Sequence, residues 1–397
     1  MTLYGFKRTR LACYSAYYTM SSVFSLPPLL FVTFREAYGL SWTLLGTLVL
    51  INFFTQLITD LFFTFFSKYL NLKVIIKIMP LITSLGLTVY ALIPMLFSDI
   101  AYVGLVIGTV IFSVSAGFSE VLLSPMIAAM PSDNPKRDMS FLHSLYAFGV
   151  FSVVLIGSLY LKLVGEEYWH YLTLFFAALP IISSVLFFIS PFPDMSKDSS
   201  KKRGKRGGNQ ALGIALCAAC IFLGSCAENV MANWISGYME VEIGLDKAVG
   251  DLVGMALFAI LLGAGRICYA KWGKSIFKTL LFGMTGAAIC YFLAALSPYS
   301  IPAVAACVLA GIFTSMLWPG TLILLEEKIP GAGVGAFALM AASGDFGASV
   351  APQLMGIVAD GSGLRTGMLV SSTFPVLGII VVVILFLHLG GAKKHKL

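Results

Sequence analysis

Charge is what this sequence has least of. Its 397 residues include 26 Lys and Arg and 19 Asp and Glu, 11% of the chain, against roughly a quarter in soluble domains. That scarcity excludes a soluble globular protein with a solvated surface. It also excludes a disordered chain, which needs charge and few apolar side chains. Cysteine is sparse: Cys13, Cys217, Cys220, Cys226, Cys268, Cys290 and Cys307 all lie in apolar stretches. They are expected as free thiols that pack like small hydrophobes, since Cys217-x-x-Cys220 lacks the second pair of a zinc or disulfide framework. The four histidines, His143, His170, His388 and His395, are too scattered for a metal site. No nucleophile elbow or HExxH is present, and the glycines Gly331, Gly333 and Gly335 lack the strand and the Gly-Lys-Ser/Thr end of a phosphate loop. An enzyme is therefore not expected, no cofactor is implied, and any pumping must use an ion gradient rather than ATP. A cleavable signal peptide is also missing, because the first apolar stretch is too long and has no A-x-A exit. It is expected to remain as the first span.

What is present is hydrocarbon. Apolar residues make up 58% of the chain and mean hydropathy is +0.91. A spanning helix needs about 20 apolar residues. Twelve stretches meet that length: about 9–33, 41–66, 72–96, 101–130, 139–163, 168–190, 211–239, 247–270, 275–296, 301–328, 333–359 and 365–391. A membrane barrel would instead show alternating segments of about ten residues. The prediction is an all-α membrane protein of twelve transmembrane helices in two six-helix bundles. Little chain is left over, so no sizeable soluble domain fits. Prolines inside the stretches (Pro27, Pro28, Pro80, Pro94, Pro125, Pro180, Pro319, Pro352, Pro375) predict kinks, since neighbours in a bundle can satisfy the freed carbonyls.

The basic residues orient the chain. With the N-terminus inside, 22 of the 26 Lys and Arg fall in inner loops, tails and helix ends, leaving Arg35, Lys162, Lys247 and Arg365 outside. By the positive-inside rule both termini are cytoplasmic. The positive net charge then reflects topology and anionic lipid, and no nucleic acid is expected as partner. The one long polar segment, 191–210, is rich in Lys, Arg, Ser and Gly and reads as a cytoplasmic linker. It divides an N-terminal bundle, 1–190, from a C-terminal bundle, 211–397. The halves echo each other. Gly117-x-x-Glu120-x-x-x-x-Pro125 matches Gly311-x-x-Thr314-x-x-x-x-Pro319, and Phe148-Gly149 matches Phe346-Gly347. Repeated halves favour a transporter that rocks around a midplane solute.

Four acids lie well inside spans: Asp60, Glu120, Glu228 and Asp345. A charge at bilayer centre costs about 2.5–3.5 kcal/mol on insertion scales, so each must face a wet cavity, pair with a base, or take up a proton. Deep bases are few, and acids of this kind suit proton or cation coupling; a capped, purely structural role is the alternative. Asn52, Gln56, Asp60 and Thr64 recur every four residues and share one helical face, which lines either the cavity or a helix contact. Asn229, Asn233 and Trp234 follow Glu228 closely. Amides beside an indole suit a polyhydroxylated ligand, and Trp318 offers a second ring. Trp42 and Trp169, at span ends, are expected in the interfacial belt. His143 opens span five with Tyr146 beside it, near the inner mouth. Arg266 and Lys68, near inner ends, are gating candidates.

At these residues the chain resembles the major facilitator superfamily, and within it the fucose permease-like branch. The resemblance covers all twelve stretches. It is most specific at Gly117–Pro125, at Met139–Gly149, at Gly265-Arg266 with Gly273-Lys274, and at Trp318-Pro319-Gly320 with Gly356–Asp360. It implies alternating access, cation-coupled sugar uptake, and a coupling role for Glu120. Three features depart from the branch: no acid precedes Pro27-Pro28, Glu228 and Asp345 stand where uncharged residues are common, and the basic loop after span two is reduced to Ser67-Lys68 and Lys73.

The expected function is secondary transport of a small polar solute, a monosaccharide or derivative, taken up with a proton, or with sodium in its place. The protein is expected in the lipid bilayer as a monomer. An exporter of amphipathic organic cations by proton antiport is the first alternative, since four acids, 31 Phe and 16 Met would suit a greasy cation. A receptor or scaffold is the second.

Overall fold

The computed structural model describes residues 6–133, 135–193, 208–329 and 333–390, and its regular structure is helical throughout these residues. The apolar stretch that opens the chain forms three consecutive helices, α1 (Lys7–Met20), α2 (Ser22–Leu29) and α3 (Phe31–Tyr38). The interruption at Leu30 follows Pro27 and Pro28, and the Leu30 N–H donates to the Pro27 carbonyl three residues back at 3.0 Å. Long helices follow: α4 (Trp42–Phe66), α5 (Leu72–Leu96), α6 (Ala101–Ala129), α7 (Pro135–Val164), α8 (Trp169–Phe188) and α9 (Gly208–Val241). The short α10 (Lys247–Gly250) passes through a π-helical turn, Asp251–Ala256, into α11 (Leu257–Trp272). The chain closes with α12 (Ile276–Leu296), α13 (Ser300–Thr314), α14 (Leu317–Lys328), α15 (Gly333–Ser371) and α16 (Thr373–Gly390). Among the described residues, ten helical segments are long and apolar enough to cross a membrane.

Helix starts and stops follow local chemistry. Asn71 caps α5, its side chain accepting from the Val74 N–H. Gly363 takes φ 84 and ψ 160, a conformation closed to L side chains, and divides α15 into two helical parts. Helices α5, α6, α8 and α15 run through Pro80, Pro94, Pro125, Pro180 and Pro352 without interruption.

The chain forms two compact units. Unit 1 comprises Met1–Leu40 and Ile51–Ser199; unit 2 comprises Ser41–Leu50 and Ser200–Leu397. Most of the polar 191–210 segment, residues 194–207, lies outside the described residues.

In unit 1, α5 packs on α6 and α8, and α1 packs on α7 and α8. Trp169 is core, not interfacial belt: it is 1% exposed and meets Phe34 edge-on at 4.8 Å. In unit 2, α9 is central and packs on α13, α14, α15 and α16. Trp42 is also core, its ring edge-on to that of Trp234 with centroids 5.7 Å apart. Both indoles sit at span ends, but neighbouring rings cover them before any headgroup could. The start of α4 is held in unit 2 by Asp360, whose Oδ1 accepts from the Trp42 N–H at 2.7 Å and Oδ2 from the Thr43 N–H at 2.8 Å. A carboxylate at a helix N-terminus satisfies orphan donors and complements the dipole. All seven cysteines are free thiols, and Cys268 is the one that is exposed.

Candidate functional site

Unit 1 presents an acidic pair and an aromatic cluster. On α6, Gly117 lets the helix approach α4 closely: a Cβ there would lie 2.9 Å from Thr59 Cβ and 3.3 Å from Asp60 Oδ1. Glu120 stands one turn further on. Asp60 and Glu120 are near enough to act on each other electrostatically. Glu120 is exposed, and among the described residues no hydrogen bond or ion pair engages it. The upper part of the α4 stripe does something else. Gln56 Nε2 donates to Asn52 Oδ1 at 2.8 Å, Ser113 Oγ donates to the same oxygen at 2.8 Å, and Asn52 Nδ2 reaches the Val23 carbonyl at 3.2 Å. Gln56 is 2% exposed. The structure therefore places this amide in a helix contact and not at a pocket wall.

The aromatic cluster gathers α1, α2, α4 and α7. Tyr17 Oη and His143 Nδ1 are 2.8 Å apart, and their rings meet edge-on. Phe24 contacts both Phe53 and Tyr146 at 5.7 Å between centroids. His143 is exposed and Tyr146 half-buried. Sequence reasoning missed Tyr17, because nothing in a 126-residue separation marks it as the histidine's partner.

Unit 2 presents a charge pair. Arg266 Nη2 on α11 lies 3.4 Å from Glu228 Oε1 on α9. Arg266 Nε donates to the Ser315 carbonyl at 3.1 Å. That carbonyl is available for a covalent reason. Pro319, four residues on, has no N–H to give it, and the helix is interrupted between α13 and α14 at this point. Arg266, a gating candidate in the sequence, thus pairs with the acid at mid-helix on α9. Glu228 Oε2 is buried and accepts no hydrogen bond among the described residues. Beside it, Asn229 Nδ2 donates to the Ser225 carbonyl at 3.1 Å and Asn233 Nδ2 to the Asn229 carbonyl at 2.8 Å. Both amides thus bond their own helix through nitrogen and keep Oδ1 as an acceptor.

The remaining candidates separate. Trp234, expected at the pocket wall, is fully buried, with Nε1 donating to the Pro352 carbonyl at 3.1 Å. Trp318 is half-buried and lies against Gly344, the neighbour of Asp345 on α15. Asp345 is 6% exposed. The side chain of Lys68 lies outside the described residues. Sequence reasoning also passed over Asp251 in the π-turn, which is 1% exposed, accepts from Ser236 Oγ and lies 4.0 Å from Lys247 Nζ. The Lys247–Asp251 spacing of four was a legible signal. Among the described residues, no three His, Cys, Asp or Glu side chains group as they would to hold a metal ion.

A sequence profile described as the Major Facilitator Superfamily matches residues 11–330. The chain belongs to the Major Facilitator Superfamily. It is therefore a multi-pass membrane protein of a family of transporters, which are generally not enzymes. Solved facilitators share its fold. The inward-open xylose transporter XylE from E. coli is similar at a TM-score of 0.77 and 15% identity, over 98% of this chain and 97% of that one. A mutant form of the nucleoside transporter NupG is similar at 0.71 and 15%, over 96% and 99%. A mutant form of the E. coli fucose:proton symporter FucP is similar at 0.61 and 14%, over 96% and 99%. At such identities the likeness to each facilitator concerns the fold alone. No curated protein matches the chain in sequence.

Proposed function

We propose that this facilitator is a proton-coupled uptake system for a small, sugar-like solute, working by alternating access in a bacterial cytoplasmic membrane. It would comprise twelve spans in two six-helix halves, 1–190 and 211–397, with both termini and the basic 191–210 linker inside. Two features support twelve spans beside the ten segments of sufficient length. Helices α1, α2 and α3 are consecutive pieces of one apolar stretch, and Gly363 divides the longest segment in two. The distribution of basic residues supports the orientation.

The observation that carries the coupling role is Glu120. It is a carboxyl on an apolar helix, uncovered by protein and without a hydrogen bond or ion pair among the described residues, with a second carboxyl nearby. Two like charges so placed disfavour double ionisation, and such a site readily takes up a cation. A proton is the simplest, and the likeness in fold to a D-xylose-proton symporter and a fucose:proton symporter adds support for it. Tyr17, His143 and Tyr146 would present rings and polar atoms to a hydroxylated solute, as would Asn229 and Trp318. Arg266 would act on this solute.

The test is Glu120→Gln in energised vesicles. Proton-driven accumulation is expected to vanish while exchange of internal for external solute persists. Undiminished uphill uptake would overturn the coupling role.

A further inference from the structure

We infer that the solute carries an oxyanion, a carboxylate or phosphoryl group, and that Arg266 binds it when a proton on Glu228 releases the guanidinium. This rests on the transport reading above and names its substrate class more closely.

The argument begins with the geometry of the pair. Arg266 is anchored at Nε by the Ser315 carbonyl, a bond that Pro319 makes available. Its end, Nη1 and Nη2, projects away from that anchor. Nη2 reaches Glu228 at 3.4 Å, longer than a good charge-assisted hydrogen bond. Nη1 has no partner among the described residues, and the side chain is 43% exposed. On the other side, Glu228 Oε2 is buried and unpaired among those residues. A fork–fork pair would use both nitrogens and both oxygens; this one uses one of each. It leaves a guanidinium edge open to a planar oxyanion, the geometry that Arg matches and Lys does not.

Charge balance then sets the order of events. Helices packed on α9 carry Asp251 and Lys247 on the π-turn and α10, Cys307 on α13, and Glu326, Glu327 and Lys328 on α14. Asp345, Asp360 and Arg365 lie on α15 and His388 on α16. None of these acts electrostatically on Glu228 as Arg266 does. The pair is therefore the local unit of neutrality. With Glu228 ionised it is neutral, and an added anion would leave an uncompensated negative charge in an apolar bundle. With Glu228 protonated, Arg266 is the uncompensated charge, and an anion restores neutrality. Proton and monoanion thus enter as a neutral pair, one to one. The open Oδ1 atoms of Asn229 and Asn233 can accept from hydroxyl groups of the same solute.

The experiment is ligand-induced thermal stabilisation of the purified full-length protein, with glucuronate, glucose 6-phosphate and glucose as probes. Each is titrated between pH 5.5 and pH 8. One or both anionic sugars are expected to stabilise the wild type, glucose to do so at least tenfold less effectively. Apparent affinity should fall up to tenfold per pH unit as one bound proton is lost. Arg266→Gln should abolish the response, and Arg266→Lys should weaken it more than tenfold. Glu228→Gln, which mimics the protonated acid, should bind glucuronate, whose charge is constant over this range, with no pH dependence. Should Arg266→Gln not fold, the flat pH profile of Glu228→Gln carries the test. Stabilisation by glucose as strong as by the anions, unchanged binding in Arg266→Gln, a pH profile in Glu228→Gln like that of the wild type, or no response to either anion would each overturn the inference. Glucose counterflow in liposomes alongside any of those results would leave the transport reading standing, and loss of all counterflow would remove both.

Discussion

The same short pattern is built into both units and has opposite consequences. In unit 1, Gly117 brings α6 against α4, Glu120 follows, and the helix runs unbroken through Pro125. In unit 2, Gly311 brings α13 against α11, Thr314 follows, and the helix gives way before Pro319. Thr314 is buried and bonds back to the Ala310 carbonyl of its own helix. One unit thus keeps an acid without a base among its described neighbours, while the other keeps a base that the proline break holds in place. The comparison teaches that a shared backbone device, a glycine for close approach and a proline for a freed carbonyl, can be charged differently in each half. On the reading proposed above, it would serve cation loading in one and anion recognition in the other.

The comparison can be broken most directly by unpairing unit 2. Arg266→Leu strands Glu228 in an apolar bundle and should destabilise the protein by about 3 kcal/mol. Arg266→Leu with Glu228→Leu should recover most of that loss. A double variant no more stable than the single one in thermal unfolding would show that the pair is not the local unit of neutrality. Glu120→Leu, with no described base to strand, should leave stability unchanged or raise it.

The glycines offer the next largest effect. A methyl at Gly311 would collide with the Phe258 carbonyl, which belongs to a helix backbone and cannot turn aside. Gly311→Ala should cost about 1–3 kcal/mol. At Gly117 the nearest atoms belong to the Thr59 side chain. The strain there is smaller, and the gain in helix propensity from Gly to Ala, about 1 kcal/mol, offsets it. Chemical denaturation of the two variants side by side measures the difference; equal losses would mean that the crossings are equivalent.

Smaller effects sharpen the picture. Tyr17→Phe removes the hydroxyl that His143 meets and should cost about 1 kcal/mol. Retention of full stability would assign that bond no structural weight. Pro319→Ala returns an N–H to the Ser315 carbonyl, which then competes with Arg266. Stability should change by less than about 1 kcal/mol, while Arg266 should become more reactive toward an arginine-directed dicarbonyl reagent.

Much of this was legible in the sequence. Helix positions followed from the apolar stretches because a bilayer imposes length and continuity on each one. The first and tenth stretches are interrupted near prolines visible in the chain, and Gly363 falls at the junction between the last two. The acids were also legible, since charge is conspicuous against hydrocarbon. Direction was not. Whether Trp234 faces a solute or the core depends on the azimuth of α9 against α15, and a span that is apolar on every side leaves no hydrophobic face to orient it. Gln56 and Trp42 were obscured for the same reason. The Arg266 anchor was readable in principle, because Pro319 must free the carbonyl four residues before it, but which donor would come to it is a tertiary fact.

The carboxylate of Asp360 has a mechanical consequence. It clasps the first two amides of α4, and the opening turns of that helix, Ser41–Leu50, cluster with unit 2, while the rest, from Ile51 onward, clusters with unit 1. One rod is therefore anchored in two bodies. Within unit 2 the clasp makes the tip of α4 travel with α15, so the first turn of that helix takes its position from Asp360.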